Sequence, residues 1–200
     1  MAGKSDVIAE VCRLLAAGNA QPARDHLASD YPFAPDAISK RAYGPTQATR
    51  VFVRDGFIDR YSGDRLVFPP VLRVISMALP AEFPFHPNWK TDVTHSAFWE
   101  IGATVDHLVP VTRGGADDEP NWMTTSMARN SAKMNWTLAE LGWSLHPPGD
   151  VKAWDGLLPW FLDYADEHRE VLSNSMVRQW HRAGLSAIGR LRGGTPRRPL

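Results

Sequence analysis

The residues best suited to acid–base chemistry stand close together in the middle of the chain. His107 directly follows Asp106, and Asn130 and Lys133 stand three positions apart further on. An imidazole can accept a proton at neutral pH, so His107 is the candidate general base. Adjacent side chains on a strand point to opposite faces, whereas residues three apart on a helix share a face. Asp106 and His107 would therefore face different partners, and Asn130 and Lys133 would face the same one.

The order and spacing of these residues are those of a known family. An apolar run ends at Asp106 and His107, a glycine-rich loop follows, a second short strand opens at Asn121, and a helical segment carries Asn130. Asn121 lies 14 positions after His107, and Asn130 lies 9 positions after Asn121. In this arrangement the chain resembles the HNH nucleases, the ββα-metal family. The segment covers about a sixth of the chain, and its matching residues are Asp106, His107, Pro110, Gly114, Gly115, Asp118, Asn121, Asn130 and Lys133.

The resemblance implies a divalent-metal-dependent endonuclease that hydrolyses DNA phosphodiester bonds with one metal ion and a histidine general base. It implies that His107 activates the water, that Asn121 braces the loop and the base, and that Asp106 and Asn130 ligate the cation. A carboxylate and an amide oxygen suit Mg²⁺ or Mn²⁺ and form a poor cage for structural zinc. The second histidine of the family name is replaced by Asn130, which favours hard cations.

Basic residues near this motif are candidates for nucleic-acid binding. Arg113, Arg129 and Lys133 are placed to reach a phosphate, and Gly114 with Gly115 permits the backbone angles of a tight loop. A further charge asymmetry lies at the C-terminus, where no acidic residue follows Glu170. The basic residues beyond that point are Arg178, Arg182, Arg190, Arg192, Arg197 and Arg198. This pattern is typical either of a phosphate-contacting helix and tail or of a solvated terminus.

The predicted fold is α+β, a ββα-metal core with an upstream β-hairpin and with helices at both ends. Val51–Val53 and Phe57–Ile58 flank Asp55-Gly56, a strong hairpin signal. Many HNH proteins carry a similar hairpin followed by a cysteine knuckle, but here Asp59 and Ser62 stand where cysteines would. No structural zinc is therefore expected. Packing would hold this layer through Phe52, Phe57, Tyr61, Leu66 and Phe68.

Helical spacing of apolar residues predicts further helices on both sides of the motif. The predicted ranges are 5–17, 21–29, 71–79, 155–169 and 174–191. A Pro/Gly-rich stretch at 146–150 is the best candidate for a boundary. The chain is therefore expected to contain an N-terminal helical hairpin at 1–45, the nuclease core at 46–145, and C-terminal helices with a basic tail at 146–200.

Composition sets limits on partners and compartment. The chain holds 22 Lys and Arg against 22 Asp and Glu, so positive charge for DNA must gather on one face. The single cysteine, Cys12, excludes internal disulfides and cysteine-based zinc sites and fits a reducing, cytoplasmic setting. No signal peptide is visible, and no run approaches the ~18 apolar residues of a spanning helix, so no membrane partner is expected.

Two alternative functions stay open. One is a non-catalytic nucleic-acid-binding module that kept the fold and lost turnover, which the intact base and metal pair disfavours. The other is an RNA-directed or toxin-like HNH nuclease, which the motif does not separate from a DNA enzyme because the scissile chemistry is shared. A monomer with one site would nick, whereas double-strand cleavage at one place would indicate a homodimer or two successive nicks.

Overall fold

The described part of the chain is mixed α+β, as predicted. A computed structural model describes residues 3–33 and 43–191, with the backbone alone for Arg190 and Leu191. Contacts divide the chain into two compact units, Met1–Ile38 and Ser39–Leu200.

The first unit is a helical hairpin. Helix α1 spans Lys4–Ala16 and α2 spans Ala20–Asp30, and the two pack against each other. Val7 of α1 and Ala23 of α2 are buried. Both helices predicted over this stretch are confirmed.

The second unit holds the other described elements. Its helices are α3 (Pro45–Arg54), α4 (Pro69–Ala78), α5 (Ala97–Glu100), α6 (Met127–Lys133), α7 (Leu138–Leu141), α8 (Leu158–Glu167) and α9 (Ser175–Leu191). Its sheet consists of two antiparallel strands, β1 (Ala103–His107) and β2 (Trp122–Ser126). The predicted helices at 71–79, 155–169 and 174–191 are confirmed as α4, α8 and α9. None of the described helices combines the length and the apolar character that a membrane crossing requires.

The predicted β-hairpin at residues 51–58 is wrong, because its first half belongs to helix α3. The buried residues Ala48, Val51 and Phe52 recur at intervals of three and one, which places them on one helical face. A run as short as Val-Phe-Val does not by itself distinguish a strand from a buried helix. Gly56 takes a positive φ of 62° at the end of this helix instead of turning a hairpin.

Only isolated bridges take the place of the hairpin within the described residues. Ile58 pairs antiparallel with Arg65, and Val67 pairs parallel with Gly102, which directly precedes β1. The second bridge connects this irregular segment to the beginning of the sheet.

Two buried carboxylates fasten the same segment to β2. Asp59 accepts hydrogen bonds from the Ser126 amide at 2.9 Å and from the Thr125 hydroxyl at 3.0 Å. Asp55 accepts one from the Thr124 amide at 2.9 Å. Asp59 stands where the resemblance places a cysteine of the knuckle, so a carboxylate and its hydrogen bonds hold the layer at this position. The expected packing accompanies them, with burial of Phe52, Phe57, Tyr61, Leu66 and Phe68.

The C-terminal helices belong to the same core. Trp180 of α9 stacks on Phe52 of α3, with ring centroids 6.1 Å apart, and meets Phe68 edge-on at 5.4 Å. The predicted boundary at 146–150 lies inside this unit. There the amide of Gly149 donates to the carbonyl of Asp55 at 3.0 Å.

Candidate functional site

Strands β1 and β2 and helix α6 together position the predicted site residues. The strand register places His107 at the end of β1 opposite Trp122 at the start of β2. Helix α6 begins immediately after β2, where the hydroxyl of Ser126 accepts a hydrogen bond from the Arg129 amide at 3.2 Å. Because α6 contacts both strands, its Asn130 and Lys133 lie over the sheet that carries Asp106 and His107.

His107 is held by a carboxylate that the sequence does not predict. Its Nε2 lies 2.8 Å from Asp117 Oδ1. The indole Nε1 of Trp122 lies 3.0 Å from the same oxygen and 3.2 Å from His107 Nε2. An ionised carboxylate only accepts hydrogen bonds, so the 2.8 Å contact assigns the proton to Nε2, and the indole N–H then donates to Asp117 and not to the imidazole. The free lone pair of the imidazole then belongs to Nδ1, the nitrogen that can accept a proton.

Asn121 ties together the loop between the two strands. Its amide nitrogen donates to the carbonyls of Val109 at 2.9 Å and Ala116 at 2.7 Å, and its Oδ1 accepts from the Val109 amide at 2.9 Å. The loop also needs its glycines. Gly114 has a φ of 86°, and a Cβ on Gly115 would collide with the carbonyl oxygen of Val109. These bonds form a brace of the kind that the resemblance implies, and the role of Asn121 in catalysis stays a prediction.

The adjacent acids of this loop have different partners. The Asp118 carboxylate accepts a hydrogen bond from the backbone amide of Asn121 at 3.3 Å and caps the short turn before β2. Asp117 reaches His107 instead. The resemblance pointed to Asp118 alone, and the signal that could have found Asp117 is the acidic doublet between the glycine loop and the second strand.

Asp106 is engaged in a buried polar cluster. Its Oδ2 accepts a hydrogen bond from the Tyr61 hydroxyl at 2.8 Å and lies 2.9 Å from the Lys133 ammonium. The ammonium also donates to the carbonyl of His107 at 2.7 Å. Burial raises the pKa of Tyr61 well above its ordinary value, and the neighbouring Asp106 carboxylate adds to the effect. Tyr61 therefore stays protonated and remains a hydrogen-bond donor at neutral pH.

The placement of Lys133 corrects its predicted role as a phosphate contact. The side chain has no exposed surface, and its charge is paired with Asp106. A phosphate cannot reach this ammonium while the ion pair is closed. Lys133 instead links α6 to the end of β1. The sequence predicts that Lys133 shares a helix face with Asn130, but it does not show which carboxylate Lys133 contacts.

Asp106 and Asn130 retain oxygen atoms that fit a hard cation. Across residues 3–33 and 43–191, no hydrogen bond engages Asp106 Oδ1 or Asn130 Oδ1. The side-chain amide nitrogen of Asn130 faces the carbonyl of Val105 at 3.4 Å, so the amide oxygen of Asn130 points away from that carbonyl. A carboxylate and an amide oxygen, completed by water and phosphate, suit Mg²⁺ or Mn²⁺. The adjacent Lys133 ammonium offsets part of the Asp106 charge, which weakens the hold of this pair on a cation.

A metal centre made of several acidic or imidazole ligands is not present in the described residues. No group of three or more His, Cys, Asp or Glu side chains there is arranged to hold an ion. At the predicted site, the described residues offer a divalent cation the oxygens of Asp106 and Asn130, and water or substrate would supply its other ligands.

Arg113 and Arg129 both lie at the surface. Arg129 is exposed, and its guanidinium lies over the ring of Trp143, 5.6 Å from its centroid. The Arg113 side chain is 48% exposed and lies 3.5 Å from Glu140. Arg129 is therefore accessible to a phosphate. Arg113 would contact a phosphate either while it is paired with Glu140 or after that ion pair has opened.

The arginine-rich C-terminus is described only in part. Arg178 and Arg182 are exposed on α9. Arg192, Arg197 and Arg198, together with the side chain of Arg190, lie outside the described residues. Both interpretations of the tail stay predictions.

Comparisons with protein-family models, with curated proteins and with solved structures found no match for this chain. The resemblance to the HNH nucleases therefore depends on the motif residues. The structure adds the contacts that the described motif residues make.

Proposed function

We propose that this chain is a divalent-metal-dependent endonuclease of the HNH type that hydrolyses phosphodiester bonds in DNA. The observation that carries the proposal is the 2.8 Å contact between His107 and Asp117 at the end of β1. Phosphodiester hydrolysis needs an activated water, stabilisation of charge on the phosphate and help for the leaving oxygen. A histidine with its Nδ1 lone pair free, together with the oxygens of Asp106 and Asn130, supplies groups for these tasks.

In the proposed reaction, His107 takes a proton from water at Nδ1 as the water oxygen attacks the phosphorus. Asp117 stabilises the resulting imidazolium through the Nε2–H, and Asn121 keeps the loop that carries Asp117 in place. Asp106 and Asn130 would hold a divalent cation, which when bound stabilises charge on the phosphate and on the departing 3′ oxygen. The bond to the 3′ oxygen breaks and that oxygen takes a proton from a solvent water, which leaves 5′-phosphate and 3′-hydroxyl ends.

A second candidate is a nucleic-acid-binding module without turnover. The ion pair between Asp106 and Lys133 favours it, because a carboxylate already neutralised by an ammonium attracts a cation less strongly. This candidate predicts salt-dependent DNA binding in every divalent cation without cleavage.

The test is a plasmid-nicking assay with Mg²⁺, Mn²⁺ or EDTA, in which wild type is compared with His107→Ala. The endonuclease proposal predicts nicking that requires a divalent cation and that falls by about 100-fold or more in His107→Ala, because general-base catalysis contributes about 10²–10⁴-fold. The matched control is His26→Ala, which also removes a histidine paired with an aspartate, 2.9 Å from Asp30, but in the first unit.

His26→Ala should cut like wild type. Equal cutting by wild type and by a nuclease-free preparation of His107→Ala would refute the assignment of the base. DNA shifts without nicking in either cation would favour the binding module.

A further inference from the structure

A cavity of about 450 Å³ lies in the second unit, outside the residues assigned to hydrolysis. Its size falls in the range of small-molecule sites, which is roughly 300–1,000 Å³. Helices α4, α6 and α9, the loop before α5, and the start of β1 all contribute to its walls.

Aromatic rings form much of the wall. Phe85 and Phe98 lie 5.0 Å apart between ring centroids, and Trp89 lies 5.9 Å from Phe98. Trp180 of α9 also lines the cavity. Trp89 is 36% exposed at the surface, so its indole is accessible to a ligand. Such walls suit a flat aromatic ligand. A nucleobase is such a ligand, because every base has a face that can stack on an aromatic side chain.

Arg73 gives the cavity its charge. Among the described residues that line it, Arg73 alone is charged, and its guanidinium lies 4.5 Å from the ring centroid of Phe85. Its hydrogen bond within the described residues goes to the neutral Ser76 hydroxyl at 3.3 Å, and no carboxylate pairs with it there. Burial lowers the pKa of Arg73, yet an arginine keeps its charge at neutral pH. A half-buried positive charge without a carboxylate partner favours an anionic ligand.

The cavity lies near the proposed site of hydrolysis. Thr104 lines it, and the alternation of a strand puts Thr104 on the same face of β1 as Asp106. His107 is three residues further along β1, which is roughly 10 Å at the rise of a strand. The cavity and the proposed site of hydrolysis thus share β1, with Thr104 on the face of Asp106 and His107 on the opposite face.

We infer that the cavity binds one nucleotide, with its base stacked on the aromatic wall and its phosphate on Arg73. Binding does not require hydrolysis at His107. The nucleotide has two sources, a free mononucleotide or an unpaired nucleotide of a strand, and both present the same base and phosphate.

The test is calorimetric titration of the whole chain in EDTA with AMP, adenosine and ribose 5-phosphate. EDTA prevents metal-dependent cleavage, so a failure of the nuclease proposal does not affect the result. We expect AMP to bind with a Kd below about 1 mM. Loss of either the phosphate or the base should weaken binding by roughly 10-fold or more.

Variants locate the site. Arg73→Met keeps a long side chain against Phe85 but removes the charge, and it should weaken AMP binding by roughly 10- to 100-fold. Trp89→Ala should weaken it by roughly 5- to 100-fold through loss of stacking. Arg65→Met is the matched control, because Arg65 also lies over an aromatic ring, that of Trp154, but outside the cavity. Circular dichroism checks that each variant is folded.

Several outcomes would overturn the inference. They are absence of heat with about 5 mM AMP, equal binding of AMP and ribose 5-phosphate, and wild-type affinity in folded Arg73→Met. Competition then identifies the source. If AMP displaces a duplex with a one-nucleotide overhang but not a blunt duplex, the cavity takes a nucleotide of the strand. If AMP binds and displaces neither duplex, the ligand is the free mononucleotide.

Discussion

At the scale of single residues, the nitrogen of His107 that keeps its lone pair decides whether this site can remove a proton. Asp117 accepts a hydrogen bond from the Nε2–H of His107, which leaves Nδ1 as the basic nitrogen. The indole of Trp122 donates to the same carboxylate oxygen and so keeps it in place. The ring orientation and the tautomer thus depend on two side chains outside the predicted site.

Asp117→Asn should lower the rate of nicking by about 10²–10⁴-fold, because an amide can donate to Nε2 and move the imidazole proton to Nδ1. The rate is measured on supercoiled plasmid under single-turnover conditions. Asp118→Asn is the neighbouring control, since that carboxylate caps a turn and does not touch His107. If the two variants cut at the same rate, Asp117 does not position the base.

The buried phenol of Tyr61 should make the protein less stable at alkaline pH. Its pKa is raised in the folded state, mainly by burial and then by Asp106. The unfolded chain releases this proton near pH 10 and the folded chain does not, so the stabilisation is complete below about pH 10 and declines above it. The free energy of unfolding should therefore fall by up to about 1.4 kcal/mol per pH unit from this group alone.

The measurement is urea denaturation of wild type and Tyr61→Phe between pH 8 and about pH 11. The variant should show the shallower alkaline decline, by about one proton. Parallel curves for the two proteins would mean that Tyr61 is not held protonated in the fold.

At the scale of secondary structure, the ion pair of Asp106 and Lys133 connects β1 with α6. Both side chains are buried, and Lys133 also bonds the carbonyl at the end of the strand. Breaking one side of a buried pair leaves an uncompensated charge in the interior. The same pair also determines how much negative charge Asp106 can offer to a cation.

Lys133→Met should cost about 3–5 kcal/mol of unfolding free energy, because Asp106 is left charged and buried. Asp106→Asn combined with Lys133→Met should cost clearly less than the sum of the two single changes. Chemical denaturation of the four proteins gives the coupling energy. A loss below about 0.5 kcal/mol in Lys133→Met would mean that Lys133 does not form a buried ion pair with Asp106.

The motif residues and most helices could be predicted from sequence, because their signals are local. Apolar spacing predicted α1, α2, α4, α8 and α9. The segment before the motif could not be predicted, since Val51 and Phe52 fit a strand and a helix equally until α9 is known to cover them. The partners of His107 and Lys133 are contacts made by the fold, so neither Asp117 nor the burial of Lys133 follows from spacing.

At the scale of the whole molecule, equal numbers of acidic and basic residues make DNA binding depend on where the charges lie. Exposed Arg129, together with Arg178 and Arg182 on α9, offers positive charge at the surface of the second unit. Each phosphate contact releases counterions and contributes to the salt dependence of binding.

Arg129→Gln should weaken DNA binding and reduce the slope of log K against log salt concentration by about 0.9. Filter binding or fluorescence anisotropy in EDTA at several salt concentrations measures the slope. Arg65→Gln removes the same charge at an exposed position over Trp154 and should leave the slope unchanged. Equal slopes for both variants and wild type would remove Arg129 from the phosphate contacts.

The stacking of Trp180 on Phe52 has a consequence for the order in which this protein can fold. Phe52 belongs to α3 and Trp180 belongs to α9, which are the first and the last described helices of the second unit in the order of the sequence. During synthesis, Phe52 and Phe68 are therefore made long before the residue that covers them. Contacts between such distant parts of a chain slow folding and expose apolar surface in the meantime. The nascent chain should accordingly be most prone to aggregation until α9 has been translated.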